Sequence, residues 1–144
     1  MSTAGYSGTP LPRKLGVRED SRLLLVDAPV DFAATLGDLP PGVELVEAGA
    51  GAVDVAILFA LDVATVRARF ADLAASLQPA GGLWIAWPKR SSGVATELDE
   101  NVVREIGLGD GLVDNKVCAI DATWSGLRFV WRLRDRPQRE RFSG

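Results

Sequence analysis

Histidine is absent from the 144 residues, and with it the commonest general base and the commonest zinc ligand. Cysteine occurs once, at Cys118, so no internal disulfide can form and stability must come from packing; a reducing, cytoplasmic setting fits such a chain better than a secreted one. No apolar run approaches the roughly 20 residues that cross a bilayer, which predicts a soluble protein with no membrane partner. The first ten residues carry neither a charged stretch nor an apolar core, so no signal peptide is expected. No metal-ligand set and no complete phosphate-binding motif is present, and the expectation is no metal and no cofactor.

What the chain does hold is 47% apolar residues, enough for one compact domain with a real core. The formal net charge of -3 is unevenly spread, because residues 128–144 place six arginines against only Asp135 and Glu140. A basic tail can meet nucleic acid or an acidic partner. Its charges are interrupted and no aromatic platform alternates with them, so nucleic-acid binding is not favoured. Three segments are expected: an extended N-terminal arm over 1–21, an α/β domain over 22–133, and a basic tail over 134–144.

Residues 22–27 form a continuous apolar run, the signature of a strand covered on both faces. Pro29 opens a short helix through Phe32, Ala33 and Leu36, and Gly37 stops it. A brief edge strand of open direction is expected at 43–46, and another strand at 53–59. Asp62 is a natural N-cap for a helix whose apolar face is Val63, Val66, Phe70, Leu73 and Leu77. Pro79 to Gly82 reads as a turn into the strand at 83–87. Thr96 to Asp99 offers a capping-box pattern for a third helix, which Gly107 to Gly111 breaks. Strands at 112–120 and 124–133, joined by a tight turn at 121–123, close the fold as an antiparallel hairpin.

In an open parallel sheet, ligands bind beyond the carboxyl ends of the strands. Asp27, Asp62 and the loop Lys89, Arg90, Ser91 and Ser92 fall at that end, joined there by Thr123, Trp124 and Ser125 of the hairpin. Two cations and two hydroxyls ahead of a helix can hold a carboxylate or phosphate, or can simply bridge strand to helix in solvent. Alternation along 114–118 puts Asp114, Lys116 and Cys118 on one side. Lys116 there can lower the Cys118 pKa and make it a nucleophile, or Cys118 can be a small buried side chain beside an Asp–Lys pair.

The succession from strand 22–27 to the hairpin, with Leu77-Gln-Pro-Ala-Gly-Gly82 before a central strand, resembles the second half of a class I methyltransferase. That resemblance implies a Rossmann-like, mostly parallel sheet of about six strands. It departs where those enzymes carry a glycine-rich loop for S-adenosylmethionine, since this chain reads Val26-Asp-Ala-Pro-Val30. Over nearly its whole length the chain also resembles an uncharacterised bacterial domain family marked by GYSGTPL, WPK..SG, VDNKVCA and WSGLR.V, a likeness that implies no activity. The expected function is a non-catalytic module binding a protein partner or a small anion. The alternatives are a divergent methyltransferase-like or other small enzyme, with no catalytic residue assigned, and a nucleic-acid accessory protein using the arginine tail.

Overall fold

The computed structural model describes residues 9–136. One six-stranded sheet contains β1 (Arg22–Val26), β2 (Glu44–Val46), β3 (Val53–Phe59), β4 (Leu77–Pro88), β5 (Leu112–Ala119) and β6 (Trp124–Trp131), in the order β2-β1-β3-β4-β6-β5. The first four strands are parallel, and β6 joins antiparallel to both β4 and β5. Helices α1 (Leu11–Lys14) and α2 (Phe32–Leu36) belong to one face, α3 (Val63–Ala75) and α4 (Glu100–Gly109) to the other. This is the mostly parallel α/β sheet with a closing hairpin that the apolar pattern predicts.

Each face has its own core. Val66, Phe70 and Leu73 of α3 and Val103 and Ile106 of α4 pack with Leu83, Ile85, Leu127 and Phe129 of the sheet. On the opposite face Leu15, Val17, Phe32 and Leu36 pack over Val55, Ile57, Phe59 and Trp84. Leu15 and Val17 are buried, so the described part of the N-terminal segment supplies core as well as running along the surface. Trp84 secures it by donating its indole N–H to the Leu15 carbonyl at 2.9 Å.

The direction of β2 is now settled as parallel to β1. Six residues, 47–52, then return the chain to the start of β3 with no crossover helix. A strand of three residues rises only about 10 Å, which a link of that length can retrace. Arg22 holds the link: Nε donates to the Ala52 carbonyl at 3.0 Å, Nη2 to the Ala50 carbonyl, and Nη1 to Glu44 at 3.1 Å. One guanidinium fork thus satisfies carbonyls that a helix would have satisfied internally.

Several boundaries differ from the sequence pattern. The expected turn at 79–82 is absorbed into β4, which starts at Leu77 and accommodates the irregularity as a register shift against β3 between Val53 and Val55. Asp99, not Thr96, caps α4, accepting from the Val102 N–H at 2.9 Å. Thr96 is spent elsewhere, donating its hydroxyl to the Leu61 carbonyl at 2.6 Å. Gly107 lies inside α4, which continues to Gly109. β6 ends at Trp131, leaving Leu133 exposed in the following tight turn.

Candidate functional site

The carboxyl edge of the parallel strands gathers most of the expected residues. Asp27 follows β1, and Leu61 and Asp62 follow β3. Lys89 continues the ladder past β4, its N–H reaching the Thr123 carbonyl at 2.7 Å. Arg90, Ser91 and Ser92 then form one tight helical turn closed by Gly93 in the left-handed region at φ 80°. The loop is thereby tied to the hairpin as the strand order requires.

Not every group there is free for chemistry. The Ser92 hydroxyl donates to the Lys89 carbonyl at 2.7 Å and accepts from the Val94 N–H at 3.1 Å, so it builds the turn. The Asp62 carboxylate caps α3 through the Thr65 N–H at 2.8 Å, and hydrogen bonding from Thr65 holds its pKa below the usual value. Asp121 accepts from the N–H groups of Thr123 and Trp124, both at 2.8 Å, which fixes the hairpin turn. Trp124 packs edge-on against Phe59 with ring centres 5.1 Å apart, and Phe59 against Phe32 at 4.9 Å. Ser125 pairs with Trp87 and so turns to the other face. Arg90 and Ser91 are exposed, Lys89 is half-buried, and aliphatic Val30, Leu61 and Val94 stand exposed along the same edge.

The cluster expected at 114–118 is divided. A bulge falls between Asp114 and Lys116: Asp114 pairs with Phe129, and Lys116 with Arg128, the next residue back along β6. The two side chains therefore point to opposite faces, correcting the simple alternation. Asp114 accepts from Arg104 Nε at 3.0 Å, while Lys116 Nζ donates to the Lys14 carbonyl at 2.8 Å. No Asp–Lys pair forms. Burial pushes the Cys118 thiol up, and the ammoniums of Lys116 and Lys14 oppose that shift without reversing it. Cys118 is thus a protonated, half-buried side chain rather than an activated nucleophile.

A cavity of about 780 Å³ opens at the other, amino edge of the sheet, lined by Pro10, Pro12, Val17, Arg18, Leu39 and Pro40 among others. Among the described residues no group of three or more His, Cys, Asp or Glu side chains is placed to hold a metal ion, and no helix is long and apolar enough to cross a membrane.

No family model and no curated protein sequence matches the chain. Solved structures do. A SAM-dependent methyltransferase from Aquifex aeolicus is similar over 81% of this chain and 85% of its own, at 15% identity and a TM-score of 0.56. A TehB-like SAM-dependent methyltransferase from Corynebacterium glutamicum is similar over 90% of this chain and 91% of its own, at 10% identity and a TM-score of 0.57. A precorrin-6y methyltransferase from Geobacter metallireducens is similar over 85% and 86%, at 11% identity and a TM-score of 0.59. The fold is that of SAM-dependent methyltransferases. The likeness runs over most of these chains rather than over a second half alone.

The residues after β1 do not fit S-adenosylmethionine well. Asp27 occupies the left-handed region at φ 59°, where glycine is at ease, and no glycine follows before α2. Pro29 has no N–H to offer, and its carbonyl accepts from Phe32. One residue in this region was missed from sequence: Glu47, directly beyond β2 and 20 positions after Asp27. In dinucleotide-binding sheets an acid about 20 residues on meets a ribose hydroxyl. The signal was available, but it needed β2 to be parallel, which the sequence left open.

Proposed function

We propose that this chain uses the methyltransferase fold as a binding module, receiving a protein partner or a small anion at the carboxyl edge without transferring a methyl group. The observation that carries the reading is the turn after β1, where Asp27, Ala28 and Pro29 replace a backbone that a cofactor could approach. The exposed Val30, Leu61 and Val94 beside Lys89 and Arg90 suit an apolar surface with an acidic component. In this reading the chain belongs with the bacterial domain family that its motifs resemble.

Titration calorimetry with S-adenosylmethionine tests it. No saturable heat is expected at metabolic concentrations, and binding in the micromolar range would overturn the proposal. A second reading, a divergent methyltransferase, is favoured by the shared fold together with Asp27 and Glu47 at neighbouring strand ends; the same titration decides for it. The arginine tail continues through residues 137–144, which lie outside the described residues. A nucleic-acid role would give a gel shift that falls steeply with salt, and none is expected.

A further inference from the structure

Four cations, Arg128, Lys116, Lys14 and Arg18, gather on the α1 side of the sheet without an ion pair among the described residues. Arg128 of β6 is in register with Trp84 of β4 and Lys116 of β5. Its guanidinium lies directly over Gly82, where a Cβ would stand 2.3 Å from Nε and 2.7 Å from Nη2. From above it meets Gly16, whose Cβ position is 3.9 Å from Nε. Its one hydrogen bond among the described residues goes to a neutral acceptor, Asn115 Oδ1, at 3.3 Å from Nη1. Burial, and repulsion from the nearby Arg18, hold the Arg128 pKa below its ordinary value. Lys116 reaches the Lys14 carbonyl at 2.8 Å, which brings those two lysines to the same corner. The ion pairs among the described residues belong to Arg22, Arg104 and Arg134, and none involves these four side chains.

A desolvated guanidinium without a counter-ion is costly, and charges of one sign crowded beside it raise that cost. A bound oxyanion would relieve both effects, because a guanidinium offers parallel N–H donors that match two oxygens of a phosphate. The cavity at the amino edge adjoins this cluster through Gly16 and Arg18; Pro10, Pro12, Val17 and Leu39 give it apolar walls, and Arg13, Glu19 and Asp38 add charged groups to its lining. Its volume of about 780 Å³ lies within the roughly 300–1,000 Å³ of small-molecule sites.

We propose that Arg128, Arg18 and Lys116 bind a phosphate-type oxyanion carried by a small molecule whose apolar part lies in the adjoining cavity. This site is separate from the carboxyl edge and stands or falls independently of the module reading. If Arg128 instead serves only to cover Trp84 with its aliphatic stem, no anion will bind here.

Calorimetry at constant ionic strength with inorganic phosphate and with phenyl phosphate distinguishes the two. Both are expected to bind saturably, phenyl phosphate about tenfold more tightly. Arg18→Ala and Lys116→Gln, at exposed positions where folding is not at stake, should each weaken both ligands by about tenfold. Arg67→Ala, at an exposed position of α3 on the opposite face, should leave both unchanged. Absence of saturable binding, or binding indifferent to Arg18 and Lys116, overturns the proposal. Loss in a Lys89→Ala, Arg90→Ala variant, with Arg18→Ala and Lys116→Gln unaffected, also overturns it and moves the anion to the carboxyl edge. Equal affinity for the two ligands removes the cavity from the site. Arg128→Gln is the direct variant, interpreted only alongside its own unfolding curve.

Discussion

The two faces of the sheet are built on different terms. On one, α3 and α4 have 13 and 10 residues, and each is capped by an aspartate, Asp62 or Asp99. On the other, α1 and α2 have four and five residues and no side-chain cap. Charge follows the same division. Arg104 on the first face meets Glu100 and Asp114, whereas Arg128, Lys116, Lys14 and Arg18 on the second form no ion pair among the described residues. A single bulge at Asn115 directs Asp114 to the compensated face and Lys116 to the uncompensated one. The closed face supplies ordinary helix packing, and the open face retains electrostatic free energy that a ligand could release.

The largest expected effect breaks the closed face. A Cβ at Gly107 would lie 2.1 Å from the Phe129 ring, which is fully buried and held edge-on by Phe70 at 5.1 Å. The ring has nowhere to go, so Gly107→Ala should cost about 2 kcal/mol despite the better helix propensity of alanine. Urea unfolding measures this. An unchanged midpoint would mean that the closed face is as loosely packed as the open one.

A smaller effect, of opposite sign, sharpens the contrast. Arg128→Met keeps an aliphatic stem over Trp84 and removes an unpaired charge, so in chloride buffer its melting temperature should rise. Arg104→Met removes a charge that Glu100 and Asp114 already satisfy, so its melting temperature should fall. A fall at both positions would show that Arg128 is structural and that the faces do not differ in this way.

Much of the closed face was legible in the sequence. The apolar spacing from Val63 to Leu73 and the cap at Asp62 depend on local chemistry alone, and they stand in the fold as expected. The strand runs at β1, β3 and β6 announced themselves by composition for the same reason. The open face was legible only in part, because its features join residues far apart in the chain. Gly82 next to Arg128, and Lys116 next to Lys14, are products of strand order and of one bulge. A bulge leaves no mark on alternation beyond one unpaired residue, so Asp114 and Lys116 read as neighbours on one side. At the carboxyl edge, strand ends were predictable from the β pattern, but Glu47 was hidden behind the undecided direction of a three-residue strand.

The smallest effect concerns how the closed face is capped. Asp62 accepts the Thr65 N–H at 2.8 Å, and hydrogen bonding from Thr65, its hydroxyl first and then its N–H, holds the carboxyl pKa below the ordinary 3.8. Because the folded value is the lower one, the charged cap stabilises the fold above the unfolded pKa, and that contribution is lost as pH falls through the folded pKa. Asp62→Asn keeps an oxygen to accept the bond but gives up the charge that favours the positive end of α3. The wild type should therefore unfold at slightly higher urea than the variant near neutral pH, and the two should converge in acid below about pH 4. Asp62 is only partly buried, so screening by water keeps the difference small, and added salt should shrink it further. Midpoints of both proteins followed from neutral pH into acid check the point. A difference that persists at the acid end would show that the loss at Asn comes from cap geometry and not from charge.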